Sequence, residues 1–226
     1  SAAIVKSLVD KTIFEEYYIV QDRVAFDKED DSQFTLSEAQ QVAFDSIQEN
    51  FKSFDVNLLH GVTASGKTEI YIKLLEQYIK EGKQVLFLLP EIALTTQLVQ
   101  RLTAYFGNEV AVFHSKYTNN ERIEVWNQVL ENSPKAKVVI GVRSALFLPF
   151  SNLGCIIVDE EHEQTFKQHD PAPRYHARDA AIVLAKQHGA KVVLGSATPS
   201  LETYYNVQTN KYGLTELKVR YGNVVL

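Results

Sequence analysis

The chain has 226 residues, 45% hydrophobic and 23% charged, with a net charge of −5. That fits one large domain, or one domain with a small appendage, burying its own core. The single cysteine, Cys155, excludes an internal disulfide and points to a reducing compartment, no apolar run reaches the ~18 residues of a membrane span, and the acidic balance argues mildly against a chain-wide nucleic-acid footprint while leaving room for a local basic groove.

Residues 1–33 differ in texture from the rest. Ser1-Ala2-Ala3 opens without Met or a signal peptide, as expected of a processed chain or a piece cut from a longer one. Ile4, Val5, Leu8 and Val9 have helical spacing, residues 14–20 are aromatic and β-prone, and the acidic residues 27–31 read as a solvated linker. This region is expected to be the end of a preceding domain. From Phe34 the pattern becomes regular. Ser37 to Gln40 forms a capping box that opens a helix carrying Val42, Phe44, Ile47 and Phe51.

Short apolar runs then alternate with amphipathic helices. Strands are predicted at Asn57–His60, Gln84–Leu89, Val110–Phe113, Lys137–Gly141, Gly154–Val158 and Lys191–Leu194. Helices are predicted at Lys67–Glu81, Ile92–Phe106, Asn119–Glu131, Ala177–His188 and Ser200–Thr209. Runs such as CIIV and KVVL are apolar throughout, as strands buried on both faces require. Residues 34–226 therefore predict an α/β lobe with a mostly parallel sheet and helices on both faces.

Gly61-Val62-Thr63-Ala64-Ser65-Gly66-Lys67-Thr68 matches G-x-x-x-x-G-K-[ST] between a strand and a helix, the context of a P-loop NTPase. The glycines let the backbone of Gly61, Thr63, Ser65 and Gly66 curl around phosphates. Lys67 is suited to the β- and γ-phosphates of ATP and Thr68 to Mg2+. The apolar strand before Asp159, Glu160, Glu161 and His162 supplies a second acidic site. Asp159 is expected to hold Mg2+, directly or through water, and Glu160 to orient and deprotonate the attacking water. A helix cap is the plain alternative for those carboxylates. After a further buried strand, Ser196 and Thr198 either link the acidic segment to a nucleic-acid site or form a simple turn with Ser200 as a cap. His114 reads as a strand-end histidine and Cys155 as a small core residue.

In order, the segments GVTASGKTEIY, LPEIALTTQL, HSKYTNNER, GVRSALFLPF, VDEEHEQTFKQ, RYHARDAA and LGSATPSLET resemble the first RecA-like lobe of a superfamily 2 helicase. Within that superfamily the chain is similar to the bacterial primosomal replication-restart DNA helicases. The resemblance implies a DNA-dependent ATPase moving 3′ to 5′ on single-stranded DNA at stalled or collapsed forks, in the bacterial cytoplasm at the nucleoid. Forked DNA, primosome proteins and single-strand-binding protein are the partners it implies, with no membrane. It assigns Gln40 to adenine recognition, against the plain reading of Gln40 as part of a capping box. Phe166, Lys167, Tyr175, His176 and Arg178 fall in an aromatic-rich loop that in the family couples DNA to hydrolysis, against the plain reading of a packed loop with surface charges; Arg143, Ser196 and Thr198 join this DNA-coupling set. Ser144, Pro90 and Glu91 match further family segments.

Ala64 and Val142 depart from the family, which usually has Gly or Ser, and Thr, there. The resemblance places zinc-binding cysteines, a second lobe with an arginine finger and most of a DNA-binding region outside this chain; residues 4–20 resemble the end of its winged-helix domain. Two other readings stay open at this stage: another superfamily 2 motor, and a nucleotide-gated scaffold that does not hydrolyse.

Overall fold

The structure is a computed structural model describing residues 35–90, 96–114 and 117–219. The expected preceding domain at residues 1–33, Glu91, and the predicted helix start at Ile92 lie outside the described residues.

Helix α1 (Glu38–Asn50) opens with the expected capping box: Ser37 accepts from the Gln40 backbone and the Gln40 side chain accepts from Ser37. Strand β1 (Val56–Gly61) leads through the glycine-rich loop into α2 (Lys67–Lys80). Then follow β2 (Gln84–Leu88), α3 (Thr96–Phe106), β3 (Val110–Phe113), α4 (Asn119–Leu130) and β4 (Val138–Gly141). A 3-10 turn at Arg143–Phe147 precedes β5 (Leu153–Asp159). The described chain ends with α5 (Ala177–His188), β6 (Lys191–Ser196), α6 (Leu201–Gln208) and β7 (Gly213–Leu217).

All neighbouring strands pair in parallel, in the order β3-β4-β2-β5-β6-β1-β7. Successive residues of a strand point to opposite faces, and both faces here are apolar. Leu58, Leu86, Leu88, Ile156, Val158, Val192 and Leu194 pack on the side that includes Val125 and Val129 of α4 and Ala181 and Ala185 of α5. Leu59, Val85, Phe87, Cys155, Ile157 and Val193 pack on the side that includes Ile47 of α1, Ile70 and Leu74 of α2, and Leu102 of α3. The three-layer α/β architecture predicted from the apolar runs is therefore present. Cys155 is fully buried among these residues, and burial pushes its thiol far above the ordinary range, so it acts as a small core residue.

Strand β7 was not predicted. It lies on the outer side of β1, where Asn57 pairs with Gly213 and Leu59 with Thr215. A buried polar cluster fixes that register: Asn50 Nδ2 donates to Asn57 Oδ1 at 2.7 Å and to the Leu214 carbonyl at 3.0 Å, and Ser46 and Thr215 hydroxyls lie 3.0 Å apart. Because the sheet is parallel, the ends of β1, β5 and β6 gather at one edge. Asp159 lies beside Gly195 and His60 beside Ser196, so β6 separates the glycine-rich loop from the acidic segment.

Candidate functional site

At the end of β1 the backbone turns sharply into α2. Gly66 is the N-cap with φ +83°, a left-handed conformation that glycine adopts without strain. A Cβ on Gly66 would stand 2.2 Å from Gln40 Nε2. Ala64 adopts φ +59°, so this departure from the family is accommodated at a cost of about 1–2 kcal/mol. No side chain caps α2, so its first backbone N–H groups and the positive end of its dipole face the cavity. Lys67 Nζ donates to the Gly61 carbonyl at 2.9 Å, folding the cation back across the loop. Ser65 Oγ is buried and has no hydrogen-bond partner.

A cavity of about 320 Å³ opens over this loop, lined by residues 63–69, Arg101, Asp159 and Glu160. Asp159 ends β5 and accepts a hydrogen bond from Tyr71 Oη at 2.9 Å. Burial first, then repulsion from Glu160, push the Asp159 carboxyl up to about 6, opposed by Tyr71 and by the Lys67 charge. Burial and the same carboxylates hold the Tyr71 phenol well above its ordinary value, so it serves as a donor. Glu160 adopts φ +49°, a strained backbone conformation, and its partly exposed carboxylate lines the cavity. The backbone donors, the ammonium of Lys67 and the hard oxygens of Thr68 and Asp159 are the chemistry that a magnesium-bound nucleoside triphosphate requires. The lone buried Ser65 hydroxyl, a polar atom in a cradle of glycines, fits the same ligand.

Gln40 is 1% exposed. Its Oε1 accepts from the Ser37 N–H at 2.8 Å and its Nε2 donates to the Gly66 carbonyl at 3.2 Å. The plain capping-box reading is thus realised together with a direct brace on the phosphate loop. In this arrangement both ends of the amide are engaged within the protein.

The residues expected to contact or couple DNA divide into two groups. Arg143, Lys167 and Tyr175 form a surface cluster: Arg143 Nη1 donates to the Lys167 carbonyl at 2.9 Å, Lys167 Nζ to the Arg174 carbonyl at 3.2 Å, and Tyr175 packs edge-on against Phe147. Lys167 and His176 form an antiparallel bridge that closes the loop. The turn reading of Ser196 and Thr198 is realised, and both hydroxyls also meet His162. Ser200 caps α6, while Ser196 Oγ lies 2.8 Å from His162 Nδ1 and Thr198 Oγ1 lies 3.3 Å from His162 Nε2. The hydroxyls therefore reach the acidic segment through His162, which stands 3.7 Å from Glu160.

Phe166 and Arg178 are buried, which favours the packed-loop reading or an indirect coupling role over contact with DNA by these two side chains. Phe166 is fully buried in the core, so its ring has no face to offer a base. Arg178 is 7% exposed, and its Nη1 donates to Glu161 Oε2 at 2.9 Å and to the hydroxyl of Ser200 at 2.5 Å. Glu161, 0% exposed, also accepts from the Ser200 N–H at 2.8 Å and the Thr203 hydroxyl at 2.9 Å. Arg178 thus holds the start of α6 to the acidic segment, while Phe166 anchors its loop in the core. Val142 is likewise buried, so an apolar residue suits its place.

Three features were missed by sequence reasoning. Tyr71 and the Glu69–Arg101 ion pair lie within quoted segments or a predicted helix but had no signal of their own. Glu161 belonged to the acidic run, and its partner sits in the string RYHARD. Their pairing depends on the fold.

Residues 37–207 match the family described as DEAD/DEAH box helicase. The chain is 43% identical over 234 residues to the replication restart protein PriA of Bacillus subtilis, covering 100% of this chain and 28% of that protein. It is 50% identical over 193 residues to PriA of Haemophilus influenzae, covering 85% of this chain and 26% of that protein. The chain thus spans about a quarter of the length of the curated relatives it matches. Among solved structures it resembles RecG bound to a three-way DNA junction, with TM-score 0.58, 20% identity, and coverage of 96% of this chain and 26% of that one. It also resembles the helicase MrfA bound to DNA, with TM-score 0.57, 19% identity, and coverage of 81% and 27%. These likenesses establish the RecA-like fold expected from the sequence. With the family match extending over most of the glycine-rich loop lobe, the chain belongs to the DEAD/DEAH box helicase family.

Proposed function

We propose that the chain is the ATP-binding lobe of a 3′-to-5′ DNA helicase of the PriA type. ATP hydrolysis there drives translocation on single-stranded DNA at stalled or collapsed forks, for primosome assembly and replication restart. The observation that carries this reading is the meeting of Lys67, Thr68, Asp159 and Glu160 around one cavity at the strand ends. The 43–50% identity to PriA proteins supports the fork-restart class over other motors.

Each residue has a defined task. Lys67 and the α2 N-terminus bind and orient the β- and γ-phosphates. Thr68 and Asp159 would hold Mg2+, which would supply neutralisation of the phosphate charge. Glu160 accepts a proton from the attacking water and orients it. Arg143, Lys167 and Tyr175 offer cations and a ring to the DNA strand, and His162 joins Ser196 and Thr198 to the acidic segment. Gln40 braces the loop, and reading adenine requires it to exchange its Ser37 and Gly66 contacts for the base. The working site is completed by a second lobe, whose arginine finger is worth roughly 10³–10⁵ in rate. The isolated chain is therefore expected to bind nucleotide weakly and hydrolyse it very slowly. In the bacterial cytoplasm the full-length protein would meet single-strand-binding protein and the other primosome components at the fork, and zinc would be held only in its other domains.

Strand displacement from duplexes carrying a 3′ or a 5′ single-stranded tail tests this reading. The full-length protein is expected to open the 3′-tailed substrate, and to lose that activity with Glu160→Gln. Opening of only the 5′-tailed substrate, or of RNA duplexes in preference, would assign the lobe to a different motor.

A further inference from the structure

Tyr71 lies one turn after Thr68 on α2, so both hydroxyl-bearing side chains share the helix face turned toward β5. Its ring is fully buried and packs edge-on against Phe87, centroids 5.5 Å apart at 80°. The phenol therefore has little freedom to rotate away. Its hydroxyl passes directly over Gly195 of β6: a Cβ added there would stand 1.7 Å from Tyr71 Oη and 3.0 Å from Asp159 Oδ1. Across the sheet, Asp159 is the register partner of Gly195. The glycine thus opens a slot through which the Tyr71 hydroxyl reaches Asp159 Oδ1 at 2.9 Å.

We propose that Tyr71, admitted by Gly195, is a positioning residue that fixes the Asp159 carboxylate for the nucleotide-bound Mg2+. One carboxylate oxygen is held by a rigid donor, which leaves the group a single orientation toward the cavity that it lines. The donor sits on the same helix as Lys67 and Thr68, so the phosphate loop and the acidic strand are set relative to one another by one side chain. A carboxylate at this strand end without such a donor would have to be ordered when the metal arrives, and that ordering costs affinity. This inference rests on the reading of Asp159 as the metal carboxylate.

The test is the affinity of the chain for a fluorescent ADP, measured with and without Mg2+, for the parent chain, Tyr71→Phe and Asp159→Ala. Tyr71→Phe keeps the buried ring and removes only the donor. Expected is an unchanged affinity in the absence of Mg2+ and a roughly tenfold smaller gain on adding Mg2+, the size of one charge-assisted hydrogen bond. A merely structural role for the hydroxyl would lower both affinities together. If Asp159→Ala abolishes the Mg2+ gain while Tyr71→Phe retains all of it, the positioning role is wrong and the site reading stands. If Asp159→Ala leaves the gain intact, the metal assignment fails and the positioning role fails with it.

Discussion

Arg178 and Glu161 form an ion pair of 2.9 Å in which the two side chains are only 8% and 0% exposed. It joins the start of α5 to the acidic segment after β5, and the hydroxyls of Ser200 and Thr203 share it. Removing one partner strands a charge in the interior. Arg178→Ala is therefore expected to destabilise the chain by about 3–5 kcal/mol, read as a fall in the urea midpoint. Arg178→Met with Glu161→Gln should recover much of that loss, because no unpaired charge remains. If Arg178→Ala leaves stability intact and removes only DNA affinity, the residue contacts DNA after all.

At the phosphate loop, binding and turnover should separate. Lys67→Ala is expected to weaken ADP and ATP binding by about 10–100-fold, since it removes a charge-assisted contact. Glu160→Gln should leave binding unchanged and lower turnover by roughly 10²–10⁴, the usual contribution of a general base. Titration of labelled nucleotide beside single-turnover phosphate release distinguishes the two variants.

Glu69 follows Thr68 in the first turn of α2, with a side chain 9% exposed and paired to Arg101, itself 48% exposed. A carboxylate at the helix end that receives phosphates opposes them unless it is neutralised. Arg101→Ala should lower ADP affinity about tenfold, and Glu69→Gln in the same chain should restore it. Failure of the second substitution to restore affinity would mean that Arg101 acts otherwise.

His176 gives the native state a pH dependence. Burial first, then the Arg178 charge, with a smaller effect of Lys167, hold its ring below the ordinary 6.5, against the pull of Asp179 and Glu161. As pH falls, the unfolded chain takes up this proton before the folded chain does. Stability from this site is thus complete above 6.5 and is lost as pH drops through the folded value. His176→Gln should flatten the melting temperature of the chain between neutral and mildly acidic pH. An unchanged acid limb would contradict it.

Much of this was legible in the sequence where the signal is contiguous. The predicted strand at Val110–Phe113 and helix at Ala177–His188 match the structure residue for residue, because apolar runs and cap residues bound them locally. The phosphate loop was legible for the same reason. Strand β7 was not, since its sequence GLTEL is secured by polar partners on α1 and β1 rather than by an apolar run. The bonds that organise the site also span the sequence: 88 residues separate Tyr71 from Asp159 and 26 separate Gln40 from Gly66. Such pairings follow from strand order, which local patterns do not encode. The burial of Phe166 and Arg178 was not legible either, because an aromatic or cationic residue in a loop carries no mark of its burial.

The most direct measurement is phosphate release by the full-length protein with and without single-stranded DNA, beside Lys67→Ala. A DNA-dependent motor built on this lobe should show strong stimulation by DNA that Lys67→Ala abolishes. Turnover indifferent to DNA, or none at all, would contradict the helicase assignment and leave only a nucleotide-binding lobe.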